Sequence, residues 1–500
     1  MKLGWNLAAG FANSAWTAII GLAAVPFYLH YLGIEAYGLI GFFTAMQALF
    51  GLLDMGLSPT INREVARNAG AKDRSEVRDL LHTLALVYWT IAGGIAIFVL
   101  AGAPFIADRW LSSAKLPPAT ISHAVMLMGL IVASRFPIGL YMGVLMGAQK
   151  MVLASAIEMM MATIANVGAV AVLAFVSPTI HAFFLWQAVA GFLTVIAVRT
   201  AAWRALRDAG QSQQPRFDAA ALSRIWRFSA GMGMTALLGT VFMQSDKVVL
   251  SKIVTLGDLG RYTLAGLAAR SLYLFMTPAF GAVYPRLTAL HAVGDIGAMK
   301  ALYKNGTRLL MAIVFPLAAF VGVFSTEIFT LWTRDAALAS SVHVVVELLL
   351  LGTAFNAAMH FPYALQLAYG KSSLPLVINL ILLTAFAPLL IVLAVRFGIA
   401  GAAAAWALLN MLYFFVGTWI THRILLRGEG LSWMVGDVGL PLVVAVAIAG
   451  AGGCLVRSMD MSVYGRLLLG GLLVGVTTIV VVAMSRDLAQ GARRLQARAL

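Results

Sequence analysis

Apolar segments long enough to cross a bilayer follow one another along this chain, joined by short polar stretches. They read as fourteen spans at about 6–30, 36–60, 80–103, 120–147, 151–176, 181–206, 226–253, 261–285, 307–332, 341–369, 374–396, 399–425, 437–456 and 464–485, against the roughly 20 residues a helix needs to cross. The runs are near-continuously hydrophobic and lack the period-two alternation of a β-barrel strand. Charged residues make up 11% of the chain, where a soluble protein carries about a quarter. The expected class is an all-α polytopic membrane protein with about 14 transmembrane helices.

The positive charges set an orientation. Of the 35 Lys and Arg, 24 fall on the side of the N-terminus, eight on the other side and three inside spans. That bias places both termini in the cytoplasm. It also accounts for the net charge of +15 without nucleic acid, since no basic patch interleaved with aromatics is present. The first ten residues run straight into an apolar segment, which reads as the first span and not as a cleaved signal. Cys454 is the single cysteine, which excludes an internal disulfide and a cysteine-based zinc site.

The longest polar stretch, 204–224, contains AGQSQQPRFD, a linker-like composition. It divides the first twelve spans into two sixes. The expected organisation is an N-terminal six-helix bundle at 1–206, a cytoplasmic linker at 207–225, a second six-helix bundle at 226–425, and at 426–500 two further helices with a basic tail. The halves show weak similarity at an offset near 225. Leu32-Gly33-Ile34-Glu35-Ala36-Tyr37 pairs with the segment from Leu256 to Tyr262, and Phe136-Pro137 pairs with Phe361-Pro362. Two repeats of six spans share topology and are related by a pseudo-two-fold axis along the membrane normal, with a cavity between them. Pro26, Pro59, Pro137, Pro278, Pro316, Pro362 and Pro388 lie within or near the ends of spans, where each removes a backbone hydrogen bond and invites a kink.

Charges inside spans are rare and costly, so each is a functional candidate. The basic ones are Arg135, Lys247 and Arg270; the acidic ones are Asp54, Glu158, Asp246 and Glu347. Arg270 lies about nine residues into its span, some 13 Å below the outer boundary. In the competing reading, Lys247 snorkels outward and Arg270 pairs with Asp246 or Glu347. His30 and His360 have no partner at metal spacing. Trp110, Trp203, Trp226, Trp332 and Trp433 fall near span ends and read as interface anchors. The small residues from Gly398 to Ala405 suit close helix packing.

Several stretches resemble a known family. QSDKVVLSKIVTLGDLGRYTLA, followed by P-x-F-x-x-x-x-Y-P-R from Pro278 to Arg286, looks like the seventh and eighth helices of the polysaccharide flippases. FSTEIFTLWTRD, FPYALQLAYGK and FGIAGAAAAWALLN are similar to their ninth through twelfth helices. PFYLHYLGIEAYGLIGF with Leu53-Asp54-Met55-Gly56-Leu57 fits the first two. The resemblance covers roughly residues 1–425 and places the chain in the multidrug/oligosaccharidyl-lipid/polysaccharide exporter superfamily. It implies two six-helix bundles around a cavity, alternating access, and a lipid-linked oligosaccharide on undecaprenyl pyrophosphate turned across the bacterial inner membrane. On that reading Arg135, Lys247 and Arg270 attract the pyrophosphate or an acidic sugar. Asp54, Glu158, Asp246 and Glu347 are candidates for proton or sodium coupling, and no other cofactor is expected. A polysaccharide polymerase and chain-length machinery are the partners such a role implies. The alternatives are an ion-coupled drug exporter or peptidoglycan lipid flippase of the same superfamily, and a membrane-bound polymerase or acyltransferase. The acidic candidates weaken the case for a purely cationic cavity. The span-one arginines of peptidoglycan flippases are absent, as are nucleophile elbows and metal clusters.

Overall fold

The computed structural model describes residues 2–68, 75–206, 215–219, 222–223, 240–241, 243–371, 373–459 and 461–484. Among them there is no strand, and ten helices are long and apolar enough to cross a membrane. The expected linker at 207–225, the first half of the seventh span with Trp226, and the basic tail lie largely outside the described residues. Ten helices and fourteen expected spans are reconciled by two bends, one break and the seventh span, whose first half lies outside the described residues. Ala9–Asp54 and Ser373–Leu425 each hold a glycine with non-helical backbone, Gly33 (φ 79°) and Gly398 (φ 59°). Only glycine adopts such angles cheaply, and each bend falls between two expected spans. At Gly398 the chain folds back on itself, because a Cβ on Gly401 would lie 1.9 Å from the Leu393 carbonyl oxygen. The expected eighth span is broken at Leu272 into two helices.

The chain forms two compact units, Met1–Gly260 and Arg261–Leu500. The first contains α1 (Lys2–Gly51), α2 (Leu57–Arg67), α3 (Ser75–Phe105), α4 (Pro118–Arg135), α5 (Ile138–Gly147), α6 (Met151–Phe175) and α7 (Ile180–Ala205). α8 (Leu256–Ser271) begins at its end. A span-length element thus stops at Arg135 and restarts at Ile138, with Phe136 and Pro137 in the joint. The matching Phe361-Pro362 of the second unit lies just past a similar joint at Met359. Most other prolines sit inside helices that continue through them, as Pro26, Pro278, Pro316 and Pro388 do.

Packing in the first unit relies on backbone approach. Gly139, Gly143 and Gly147 repeat every fourth residue along α5 and face Ser58, Ile61, Asn62 and Val65 of α2; a Cβ on Gly143 would lie 2.6 Å from the Ser58 carbonyl oxygen. Gly38 and Gly260 make a reciprocal crossing, each Cβ position lying close to a carbonyl of the other helix, of Leu256 and Ile34 respectively. Ile34 on one side and Leu256 and Gly260 on the other belong to the two segments paired by sequence similarity, and Gly38 directly follows the first.

The second unit contains α9 (Tyr273–Ala292), α10 (Ile296–Val323), α11 (Ser325–Thr333), α12 (Ala336–Ala358), α13 (His360–Ala368), α14 (Ser373–Leu412), α15 (Thr418–Leu425), α16 (Leu440–Ser458) and α17 (Val463–Met484). The last two helices pack on α10 and are tied to it by charge. Lys300 and Lys304 bind Glu429 at 3.3 and 2.6 Å, and Arg308 Nε binds Asp437 Oδ1 at 2.5 Å. The three cations recur every four residues, so they share one face of α10. Trp433 is no interface anchor. It is fully buried, stacks on Tyr303 at 5.6 Å and donates its indole N–H to Thr307 at 3.2 Å. The wide π-helical stretch Trp433–Gly439 turns it inward.

Candidate functional site

Arg135 closes α4 at the joint. Its Nη2 donates to Gln187 Oε1 of α7 at 2.7 Å and its Nη1 to Gln47 Oε1 of α1 at 3.5 Å. Its guanidinium carbon sits 5.8 Å from the centroid of the Phe43 ring. Gln187 is itself fixed, donating to the Ala165 carbonyl of α6 at 3.3 Å. Two helices, α1 and α7, therefore hold the guanidinium through two amide oxygens and an aromatic face. Among the described residues no carboxylate reaches it. Amides satisfy N–H donors but do not neutralise charge, so the site retains a net positive field in a low-dielectric setting.

Asp54 ends a single 3₁₀ turn between α1 and α2. Ser58 Oγ donates to Oδ1 at 2.5 Å, and the Tyr88 hydroxyl donates to the same oxygen. Tyr88 is fully buried and its ring lies 5.1 Å from that of Phe136. Gly139, three residues on, leaves Ser58 room: a Cβ there would lie 2.9 Å from the Ser58 hydroxyl. Three residues within the short α4–α5 joint thus touch the two places. Arg135 reaches the amides, Phe136 covers Tyr88, and Gly139 faces Ser58.

The remaining candidates are dispersed. Glu158 is exposed on α6 and accepts from Asn13 Nδ2, one rung of a polar seam with α1 that includes Trp16–Thr163 at 2.9 Å and Tyr28–Asn166 at 3.2 Å. Lys247 is buried, and its Nζ donates to Gln244 Oε1 at 3.0 Å; its own N–H donates to Asp246 Oδ1 at 2.8 Å. In the second unit Arg270 and Glu347 are both exposed, on α8 and α12, and do not pair with each other. Gln47, Gln187, Ser58 and Tyr88 escaped the reading of the sequence, because uncharged polar residues in apolar runs carry no distinguishing local signal. The acids Glu429 and Asp437 lay in the sequence as charges near span ends, without a visible partner.

Comparisons with known proteins agree with this architecture. A protein of Shigella flexneri that carries the provisional name O-antigen transporter is 23% identical over 422 residues, covering 82% of this chain and 97% of its own. The lipid II flippase MurJ in an inward closed conformation has a similar fold, with a TM-score of 0.68 at 13% identity, covering 95% of this chain and 98% of that one. An inward-facing multidrug resistance MATE family transporter of the MOP superfamily follows at 0.66 and 13% identity, covering 82% and 95%. These likenesses establish a multi-pass membrane protein with the fold of that superfamily. Residues 7–291, more than half of the chain, match the family described as polysaccharide biosynthesis protein, and the chain belongs to that family.

Proposed function

We propose that this protein is a flippase that carries an undecaprenyl-diphosphate-linked oligosaccharide from the cytoplasmic to the periplasmic leaflet of the bacterial inner membrane by alternating access, with both termini cytoplasmic. The observation that carries the reading is the state of Arg135, a guanidinium inside a helical unit held by two amides and no carboxylate. Such a group is a binding site for an anion, and a diphosphate supplies two charges and a planar array of acceptors suited to a guanidinium. Lys247 in the first unit and Arg270 in the second are proposed as further contacts for the anionic cargo, each argued from its own unit. Asp54 is the proposed coupling carboxylate, for a proton or sodium, because its named hydrogen-bond donors are neutral hydroxyls and an amide N–H. A change in its charge alters what Ser58 and Tyr88 must donate, and the Phe136 contact passes that change to the neighbour that anchors Arg135.

The test is depletion of the protein in its native bacterium, with surface polysaccharide and lipid-linked oligosaccharide measured by leaflet. Completed units trapped in the cytoplasmic leaflet support the reading. Unchanged polysaccharide in a strain lacking any other flippase refutes it. Arg135→Gln is expected to lower transport at least tenfold at normal expression, with Arg135→Lys intermediate, since lysine keeps the charge without the fork.

A further inference from the structure

The face of the second unit that starts at Arg270 carries a feature the flippase reading does not use. Tyr273, Thr277, Phe280 and Tyr284 recur at intervals of three and four, which places them on one side of α9, and Arg270 precedes them across the break at Leu272. Phe280 stacks on Tyr284 at 5.5 Å with planes 18° apart, and on Tyr363 of α13 at 5.7 Å and 23°. His360 stands edge-on to Phe280 at 6.3 Å. Three near-parallel rings from two helices thus form a single stack, and Tyr363 is 37% exposed.

The hydroxyls separate this stack from a lipid-facing one. Tyr28, Tyr88, Tyr273 and Tyr303 each give their hydroxyl a protein partner. Those of Tyr284 and Tyr363 have none among the described residues, although both rings sit in or beside a membrane-length segment. A hydroxyl facing hydrocarbon without a partner is costly, so this surface suits a ligand with both apolar faces and polar edges. A solitary belt tyrosine at the bilayer interface needs no neighbour, whereas here the rings are held parallel by one another.

We infer that the Phe280–Tyr284–Tyr363 stack is a saccharide-binding subsite that receives one pyranose ring of the cargo. A pyranose presents a face of C–H groups to the electron-rich face of an aromatic ring and hydroxyls around its rim. The two unpartnered phenols and His360 stand where that rim would meet them. The subsite selects for the presence of a sugar and tolerates differences between sugars, since most pyranoses offer such a face.

This inference rests on the flippase reading, and one experiment separates the two. The full-length protein in lipid nanodiscs is titrated with undecaprenyl diphosphate and with undecaprenyl diphosphate N-acetylglucosamine. The wild type is expected to bind the sugar-bearing lipid roughly tenfold more tightly, the order of one or two aromatic contacts. Tyr363→Ala and Phe280→Leu are expected to bring that ratio close to one while leaving the affinity for the sugar-free lipid unchanged. Tyr363→Phe should retain most of the preference. Tyr363→Ala alters an exposed side chain and keeps the test available if a change at Phe280 impairs folding. A wild-type ratio near one, or variants that weaken both lipids equally, overturns the subsite and leaves the flippase reading standing. A wild type that binds neither lipid overturns both.

Discussion

Removing the buried acid of the α10 clasp should loosen the last two helices. Asp437 is 1% exposed, its Oδ1 accepts from Arg308 Nε at 2.5 Å, and its Oδ2 has no hydrogen bond. Breaking a fully buried ion pair costs about 3–5 kcal/mol. The Arg308 side chain is 24% exposed and one carboxylate oxygen is unsatisfied. Both features lower the loss, so Asp437→Ala is expected to destabilise by about 2–3 kcal/mol. Replacing both partners by apolar residues of similar volume, Arg308→Met with Asp437→Leu, removes two desolvation penalties along with the attraction between them and should recover most of that loss. The assay is unfolding in mixed micelles by titration with sodium dodecyl sulfate, followed by tryptophan fluorescence, on the wild type, Asp437→Ala, Arg308→Met, Asp437→Leu and the Arg308→Met/Asp437→Leu double variant. A double variant whose loss equals the sum of its two singles would show that the pair is not coupled and would refute the reasoning.

Three other outcomes follow from the same structure. Asp54→Asn should keep the Ser58 and Tyr88 contacts yet abolish the dependence of transport on an imposed proton or sodium gradient; a variant that still responds to the gradient sinks Asp54 as the coupling group. Gly143→Ala should lower stability by roughly 2 kcal/mol in the same titration, because the added carbon meets the Ser58 backbone and neither helix can yield locally. The Lys304 and Lys300 contacts hold the Glu429 carboxyl below its ordinary 4.5. Its stabilising share is therefore complete above pH 4.5 and fades as pH falls toward the lowered folded value, because the unfolded chain takes up the proton first. The difference in melting temperature between wild type and Glu429→Gln should shrink below that pH, and a difference that widens there would contradict the sign.

What could be read in the sequence was what depends on one residue at a time or on chain order. Apolar length located the spans. Gly33 and Gly398 lie where adjacent spans had to part, and Phe136-Pro137 marked a joint. The lateral partners were not legible. Arg308 and Asp437 are 129 positions apart, and Asn13 and Glu158 are 145 apart. In helices apolar on nearly every side, rotation about the axis is set by packing and leaves little trace in hydropathy. Trp433 shows the limit well: a tryptophan near a span end suggests the interface, but a local π-helical stretch turns it into the core. Arg135 was legible as a charge out of place, whereas the two glutamines that make it a site were not.

The bend at Gly398 has a mechanical consequence. A connection made by a single residue has no slack, and with Gly401 against the Leu393 carbonyl the two limbs of α14 are in backbone contact at its apex. The limb from Ser373 to the bend is about 37 Å long at 1.5 Å per residue. A rotation of only about 5° at the apex would therefore sweep the far end by about 3 Å, close to two helical residues of rise. Neither limb can slide along the other to absorb it, so the hairpin behaves as a stiff lever, and an inserted residue at the apex would decouple its arms.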